Sequence, residues 1–176
     1  SVSIDGRTMI DKRPKKVEKR LEFGHFEGDF IESGKDGKGS ILVLVERKTR
    51  YPFIAYLEDR SNKNVNNLIS KLLKDVPIQT LTLDNDVSFQ KHKELSKLIN
   101  ADVFFCHPFH SWEKGTVENR NKFIRRYFPK RIDLSKCSED QITKVEKILR
   151  TRFMKILNYK TPEECFKEEI LKSQLN

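Results

Sequence analysis

The sequence predicts an α/β fold, a mixed five-stranded sheet flanked by helices. Three observations predict it. Three strand-like stretches follow one another between residues 23 and 57 with only short polar links. Two helix-then-strand steps come next, between residues 61 and 106. From residue 116 onward every apolar pattern has helical spacing.

Phe23 to Glu32 reads as the first strand. The segment Ser33-Gly34-Lys35-Asp36-Gly37-Lys38-Gly39 is rich in glycine and charge and reads as a turn. Ile41 to Val45 is a short unbroken apolar run, the mark of a strand buried on both faces. Arg47 to Arg50 turns the chain into a third strand, Tyr51 to Leu57, with Pro52 near its start where a missing N–H costs least. These three strands make an antiparallel meander. Ser61 is placed to cap a helix in which Val65, Leu68, Ile69, Leu72 and Leu73 recur at helical spacing, ending before Pro77. Gln79 to Leu83 is a strand reached through that helix, so it runs parallel to its neighbour. Lys91 to Asn100 is a second helix and Asp102 to Cys106 a fifth strand. Thr116 to Phe128 is helical. Ser138 and Gln141 form a capping-box pattern ahead of Ile142, Val145, Ile148 and Leu149. Thr161-Pro162-Glu163-Glu164 opens a last helix with a cap and a first-turn proline. This order of elements resembles the ribonuclease-H-like fold.

A chain of 176 residues suits one domain with a real core. Residues 1–20 are polar and basic with no strand period, which divides the chain into a basic arm or linker (1–20) and a core (21–176). The arm reads equally as a solvated tail or as a strap along phosphates. No run of about 18 apolar residues is present, which argues against a membrane span, and no apolar stretch follows the early basic residues as a secretory signal would require. The formal net charge is +9 and the isoelectric point about 9.4, which favours a polyanionic partner. Three scattered cysteines (Cys106, Cys137, Cys165) argue against a disulfide framework and for a reducing cytosol. Cys106, His107 and His110 lie close together, but the paired spacing and fourth ligand of a structural zinc site are missing.

Three carboxylates stand out. Asp29 lies inside an apolar strand, where a charge needs a partner or a metal. Asp84 ends the run Thr80-Leu81-Thr82-Leu83, at the strand end where open α/β sheets place ligands. Glu118 lies in the first turn of the helix after Gly115. Each alone has an ordinary explanation: a turn former, a helix cap, a residue meeting the helix dipole. Their combination with the surrounding motifs carries more.

Those motifs are Arg13-Pro14, Gly24-His25-Phe26-Glu27-Gly28-Asp29, Val45-Glu46-Arg47-Lys48-Thr49-Arg50-Tyr51, Leu83-Asp84-Asn85 and His107-Pro108. Ser111-Trp112-Glu113-Lys114-Gly115-Thr116-Val117-Glu118-Asn119 is the most specific, followed by Ile124-Arg125-Arg126-Tyr127-Phe128-Pro129-Lys130 and Tyr159-Lys160-Thr161-Pro162. In this order, with 33 residues between Asp84 and Glu118, the chain resembles the insertion-sequence-thirty family of bacterial transposases, with an integrase-type catalytic core. The resemblance runs from about residue 11 to residue 166. It departs at Asp86, where the family usually has glycine, at Val117, where it often has asparagine, and at Arg150 to Lys155, where it has a proline-containing basic stretch. The helix-turn-helix with which the family reads its element ends is not among these residues.

The resemblance implies an Asp29–Asp84–Glu118 triad holding two Mg2+ or Mn2+ ions for DNA cleavage and strand transfer, which suits hard oxygen ligands. It implies DNA as partner, both element ends and target, a homo-oligomer on DNA and a bacterial cytoplasmic, nucleoid-associated location. Lys122 and Arg125, four and seven residues after Glu118, fall near its helix face and are expected on DNA phosphates, with Lys114 and Arg126 beside them. Asn119 either orients a carboxylate or touches DNA, and Asn85 supports Asp84. Trp112 either stacks on an unpaired base or packs under its loop. His25 and His107 flank the site in sequence, as proton carriers or as hydrogen-bonded bystanders. The alternative reading is a catalytically impaired transposase remnant that only binds DNA.

Overall fold

The structure, a computed structural model, describes residues 3–110 and 113–176. Strands β1 (His25–Glu32), β2 (Ser40–Glu46), β3 (Pro52–Leu57), β4 (Thr80–Leu83) and β5 (Asp102–Phe105) form one sheet in the order β3-β2-β1-β4-β5. β1–β2 and β2–β3 are antiparallel, and β1–β4 and β4–β5 are parallel. This is the expected sheet: short turns make antiparallel neighbours, and helical crossovers make parallel ones.

Helices α1 (Asn62–Leu72), α2 (His92–Ile99), α3 (Thr116–Tyr127), α4 (Glu139–Arg150) and α5 (Pro162–Gln174) complete the fold. The period of two along the strands sorts side chains into two apolar layers. Phe26, Leu42, Leu44, Leu81 and Leu83 pack with Val65 and Ile69 of α1 and with Leu95 and Ile99 of α2. Ile31, Ile41, Val43 and Val45 pack with Val117 and Ile124 of α3 and with Ile142, Val145 and Leu149 of α4. β2 feeds both layers and is buried throughout, which its unbroken apolar run required. The foreseen caps form. Ser61 accepts from the Asn64 amide, Ser138 and Gln141 make a reciprocal capping box, and Thr161 accepts from Glu164 ahead of Pro162.

Some boundaries differ from the expected ones. β1 starts at His25 rather than Phe23 because Gly24 takes φ +103° and a Cβ there would sit 2.7 Å from the Pro77 carbonyl oxygen. Its own carbonyl accepts the Gln79 amide at 2.7 Å, which docks β4 beside β1. Short 3-10 helices form at Ile10–Lys12, Lys15–Lys19, Val87–Phe89, Leu134–Lys136 and Lys155–Leu157. Such pieces are too short to leave a periodic trace in sequence.

Residues 3–20 lie along the sheet. Met9 bridges to Phe105 in the parallel sense, and the Thr8 carbonyl accepts the Phe105 amide at 2.8 Å, covering the β5 edge. Ile4 and Val17 are buried, and Arg13 reaches Thr82 Oγ1 at 2.9 Å. Among the described residues no helix is long and apolar enough to cross a membrane.

Candidate active site

β1 runs parallel to β4 with His25 opposite Thr80 and Glu27 opposite Thr82. Continuing that offset by two residues sets Asp29 alongside Asp84, just past the end of β4. Adjacent strands are ~4.8 Å apart, so the register alone makes the two carboxylates neighbours. Alternation along β1 sends Glu27, Asp29 and Ile31 to the α3/α4 side, and Phe26, Gly28 and Phe30 to the other. Gly28 has no room for a side chain: a Cβ would lie 2.7 Å from a Leu83 methyl and 3.1 Å from one of Leu44.

Between the two aspartates sits Lys114. Its side chain is 0 % exposed, and its Nζ lies 3.5 Å from Asp29 Oδ2 and 3.8 Å from Asp84 Oδ2. It also donates to the Gly28 carbonyl at 3.4 Å. Lys114, expected on the DNA side, is thus enclosed as an internal counter-ion. A buried ammonium needs carboxylates, and here two face it. Asp29 is further fixed by the Phe30 amide at 2.8 Å and by Asn121 Nδ2 at 3.2 Å. Asp84 is held less firmly. Its Oδ1 is buried and meets no hydrogen-bond donor. Burial, opposed by Lys114 and reinforced by the negative charges of Asp29 and Asp86, pushes its carboxyl up to about 6.

Glu118 stands in the first turn of α3, exposed to solvent. It precedes Asn121 by three residues and so shares the helix face that meets Asp29. The three carboxylates do not come within a single ion's reach. Among the described residues, the set whose ligand atoms all lie within 4.8 Å is His107, His110 and Glu113, in the loop before α3. Cys106, weighed from the sequence as a companion of the two histidines, is buried with its thiol pushed up to about 12 by that burial.

A buried ion pair fixes where α3 begins. Glu27 and Arg47 are both almost fully buried and in direct contact. Glu27 Oε2 accepts the Val117 amide at 2.7 Å, and Arg47 Nη1 donates to the Lys114 carbonyl at 2.9 Å. One carboxylate on β1 and one guanidinium after β2 thereby tie down both Lys114 and the start of the Glu118 helix. Burial raises the carboxyl of Glu27 and lowers the guanidinium of Arg47, and each charge opposes the other's shift. Neither residue, nor Asn121, was singled out from the sequence. The available signal was Glu27 itself, a second charge in an apolar strand two residues before Asp29 and therefore on the same face.

The remaining sequence candidates fall in several places. Asn85 donates to the Cys106 carbonyl at 2.6 Å and accepts from Arg7, bracing the β4 and β5 ends beside Asp84. Asp86 caps the turn at Val87–Phe89 and pairs with Arg60 at 3.3 Å. Arg125 spends its donors on the Glu32 carbonyl at 3.0 Å and the Phe128 carbonyl at 3.4 Å. Asn119, Lys122 and Arg126 line a cavity on another side of α3. Trp112 lies outside the described residues. His25 shares hydrogen bonds with Thr80 Oγ1 (2.7 Å) and Glu22 (3.0 Å) at the start of β1, four residues before Asp29. Burial pushes its pKa down. His107 lies between Glu113 at 3.0 Å and Asp11 at 2.6 Å, and these carboxylates push its pKa up.

No family model matches the chain. It is 40% identical over 169 residues to the transposase for insertion sequence element IS4351 of Bacteroides fragilis, a match covering 95% of this chain and 52% of that protein. It is 31% identical over 173 residues to transposase InsI for insertion sequence element IS30A of Escherichia coli (strain K12), covering 97% of this chain and 45% of the other. The chain therefore spans about half the length of these relatives. Among solved structures, the catalytic core domain of BIV integrase superposes with a TM-score of 0.68 at 18% identity, covering 85% of this chain and 97% of that one. That similarity shows the fold, the ribonuclease-H-like arrangement of an integrase core.

Proposed function

The chain belongs to the insertion-sequence-thirty family of transposases, and on that premise we propose that it is the family's metal-dependent catalytic core, cutting and joining DNA through Asp29, Asp84 and Glu118. The observation that carries this reading is the side-by-side placement of Asp29 and Asp84 around one buried cation, Lys114 Nζ. A site that already holds an ammonium between two carboxylates, with an Asp84 oxygen left unpartnered, has the charge and the hard donors to suit a divalent ion.

Asp29 and Asp84 would hold Mg2+ or Mn2+ directly, and Glu118 would add the third carboxylate from α3. A triad that would serve two ions need not gather within the reach of one. When bound, such ions polarise the phosphoryl group and lower the pKa of an attacking water. Asn121 keeps Asp29 turned toward the site, and the Glu27–Arg47 pair anchors the helix that carries Glu118. Lys114 neutralises the pair of aspartates and would have to shift for a divalent ion to take its place. In the first reaction water attacks a phosphodiester phosphorus, the P–O3′ bond breaks, and a 3′ hydroxyl is freed. In the second, that hydroxyl attacks a target phosphodiester and displaces its 3′ oxygen. The element ends and target DNA are the partners in this reading, and the protein acts as a homo-oligomer on DNA in the bacterial cytoplasm. In this reading residues 21–176 are the core and the basic segment 1–20 its arm, an arm packed onto the core through Ile4 and Val17.

The test is nicking of supercoiled DNA with and without manganese. The full chain nicks only with metal, and Asp29→Asn and Glu118→Gln, folded as judged by circular dichroism, do not. Metal-dependent nicking that survives either substitution refutes the triad. DNA binding with no nicking in the unmodified chain would instead favour the DNA-binding remnant.

A further inference from the structure

Beyond the carboxylates, α3 borders a cavity of about 290 Å³. Arg20, Arg50, Arg120, Lys122 and Arg126 line it with Phe123, and no aspartate or glutamate is among its described lining residues. Met154 and Ile156 supply an apolar wall. Five cations around one small space is an unusual arrangement, because like charges repel and burial strips their water.

The local compensation is incomplete. Arg120 is 3% exposed and Arg50 9%. Arg120 donates to the Arg50 carbonyl at 3.1 Å and to the Met154 sulfur at 2.9 Å, and Arg50 donates to the Arg47 carbonyl. Carbonyls orient a guanidinium but do not neutralise it. Burial first, and then Arg20 and Arg47, lower Arg50 to about 10, with Glu46 and Glu27 opposing in part. Two donors in this cavity have no partner at all: the buried Nε of Arg20 and the hydroxyl of Thr116, a residue 4% exposed. Unsatisfied buried donors are rare and call for an acceptor.

Position gives the site its meaning. Steps of about 100° along a helix put Thr116, Arg120 and Phe123 roughly opposite Glu118, Asn121 and Arg125, with Asn119, Lys122 and Arg126 of the same cavity on the flank between them. The helix is ~10 Å across, a few nucleotide steps at ~3.4 Å each.

We propose that this cavity is an anion seat that takes one backbone phosphate of bound DNA, on the side of α3 opposite the carboxylates, with Arg20, Arg50, Arg120 and Thr116 as its donors. The identity of the anion as DNA rests on the function proposed above; the need for an anion does not. The seat positions the strand and reads no sequence, as phosphate contacts do.

The experiment measures duplex DNA binding in chelator across a salt series, using the full chain, Arg20→Gln, Thr116→Val and the double variant. Each single substitution weakens binding by roughly three- to tenfold, equally on two unrelated sequences. The double variant lowers the slope of log affinity against log salt by about one. Inorganic phosphate raises the melting temperature of the unmodified chain and not of the double variant. Unchanged affinity and slope in a folded double variant overturns the proposal. If that variant fails to fold, Arg126→Gln on the rim decides by the same slope. Phosphate stabilisation with an unchanged DNA slope also overturns it, as a seat for small anions only. Manganese-dependent nicking is scored separately. A chain that never nicks but loses the slope keeps the seat and refutes the catalytic reading, and the reverse result refutes the seat alone.

Discussion

Replacing Asp84 with asparagine should stabilise the metal-free protein above neutral pH. Asp84 is raised from its ordinary 3.8 to about 6 in the folded state. Between those values the folded chain keeps a proton that the unfolded chain has released, so stability falls as pH climbs through that window and stays lowered above it. Two units at 1.36 kcal/mol each is about 3 kcal/mol. The side chain is 31% exposed, and solvent over it brings the expected cost to about 2 kcal/mol. Asparagine mimics the protonated form and carries none of this cost. Asp84→Asn should therefore exceed the unmodified chain by about 2 kcal/mol near pH ~8, a gain of roughly 4–8 °C in melting temperature, and match it near pH ~4. Manganese should reverse the order. At a hundredfold excess over its dissociation constant it adds about 2.7 kcal/mol to a chain that binds it, and little to one lacking a ligand. Urea unfolding followed by circular dichroism, at both pH values and with chelator or manganese, measures all four differences. If Asp84→Asn is less stable than the unmodified chain in chelator near pH ~8, or if its effect ignores pH, the reasoning about a strained carboxylate pair is wrong.

Further outcomes follow from the same contacts. Lys114→Met removes the ammonium that competes for the aspartates, so manganese should bind more tightly by calorimetry even as the metal-free chain loses stability; weaker binding would show that Lys114 helps to build the site. Glu27→Ala leaves the buried Arg47 without its carboxylate and frees the Val117 amide, so denaturant unfolding should register a loss of about 3–5 kcal/mol. Gly28→Ala forces a methyl against Leu83 and Leu44 and should cost about 1–3 kcal/mol in the same assay. Thr161→Ala removes the cap of α5 and should cost about 1 kcal/mol; no change would mean that the helix end is held by other contacts.

Most of the architecture was legible before any coordinates. The unbroken run Ile41–Val45 announced a strand buried on both faces, and the Ser138–Gln141 and Thr161–Pro162 signals marked two helix starts, because caps and periods are local interactions. Short 3-10 helices escaped for the complementary reason, being too short to repeat a pattern. In the site, Asp29 and Asp84 were visible as charges at a strand and a strand end. Lys114 was misplaced because its sequence neighbours, Trp112, Glu113 and Gly115, say nothing about which way a loop lysine turns. The arginine cavity was not foreseen, since Arg20, Arg50 and Arg120 are far apart in the chain and each resembles an ordinary basic surface residue.

The order of strands and helices, the positions of their caps, the net charge of +9 and the motifs around the carboxylates were properties of the sequence by itself, because they depend on neighbours within a turn or a strand. Only the tertiary structure decided that an ammonium lies between Asp29 and Asp84, that Glu27 and Arg47 anchor α3, and that five cations share one cavity. Those arrangements arise from burial and from charges meeting between distant positions of the chain, and no local pattern encodes the distance between them.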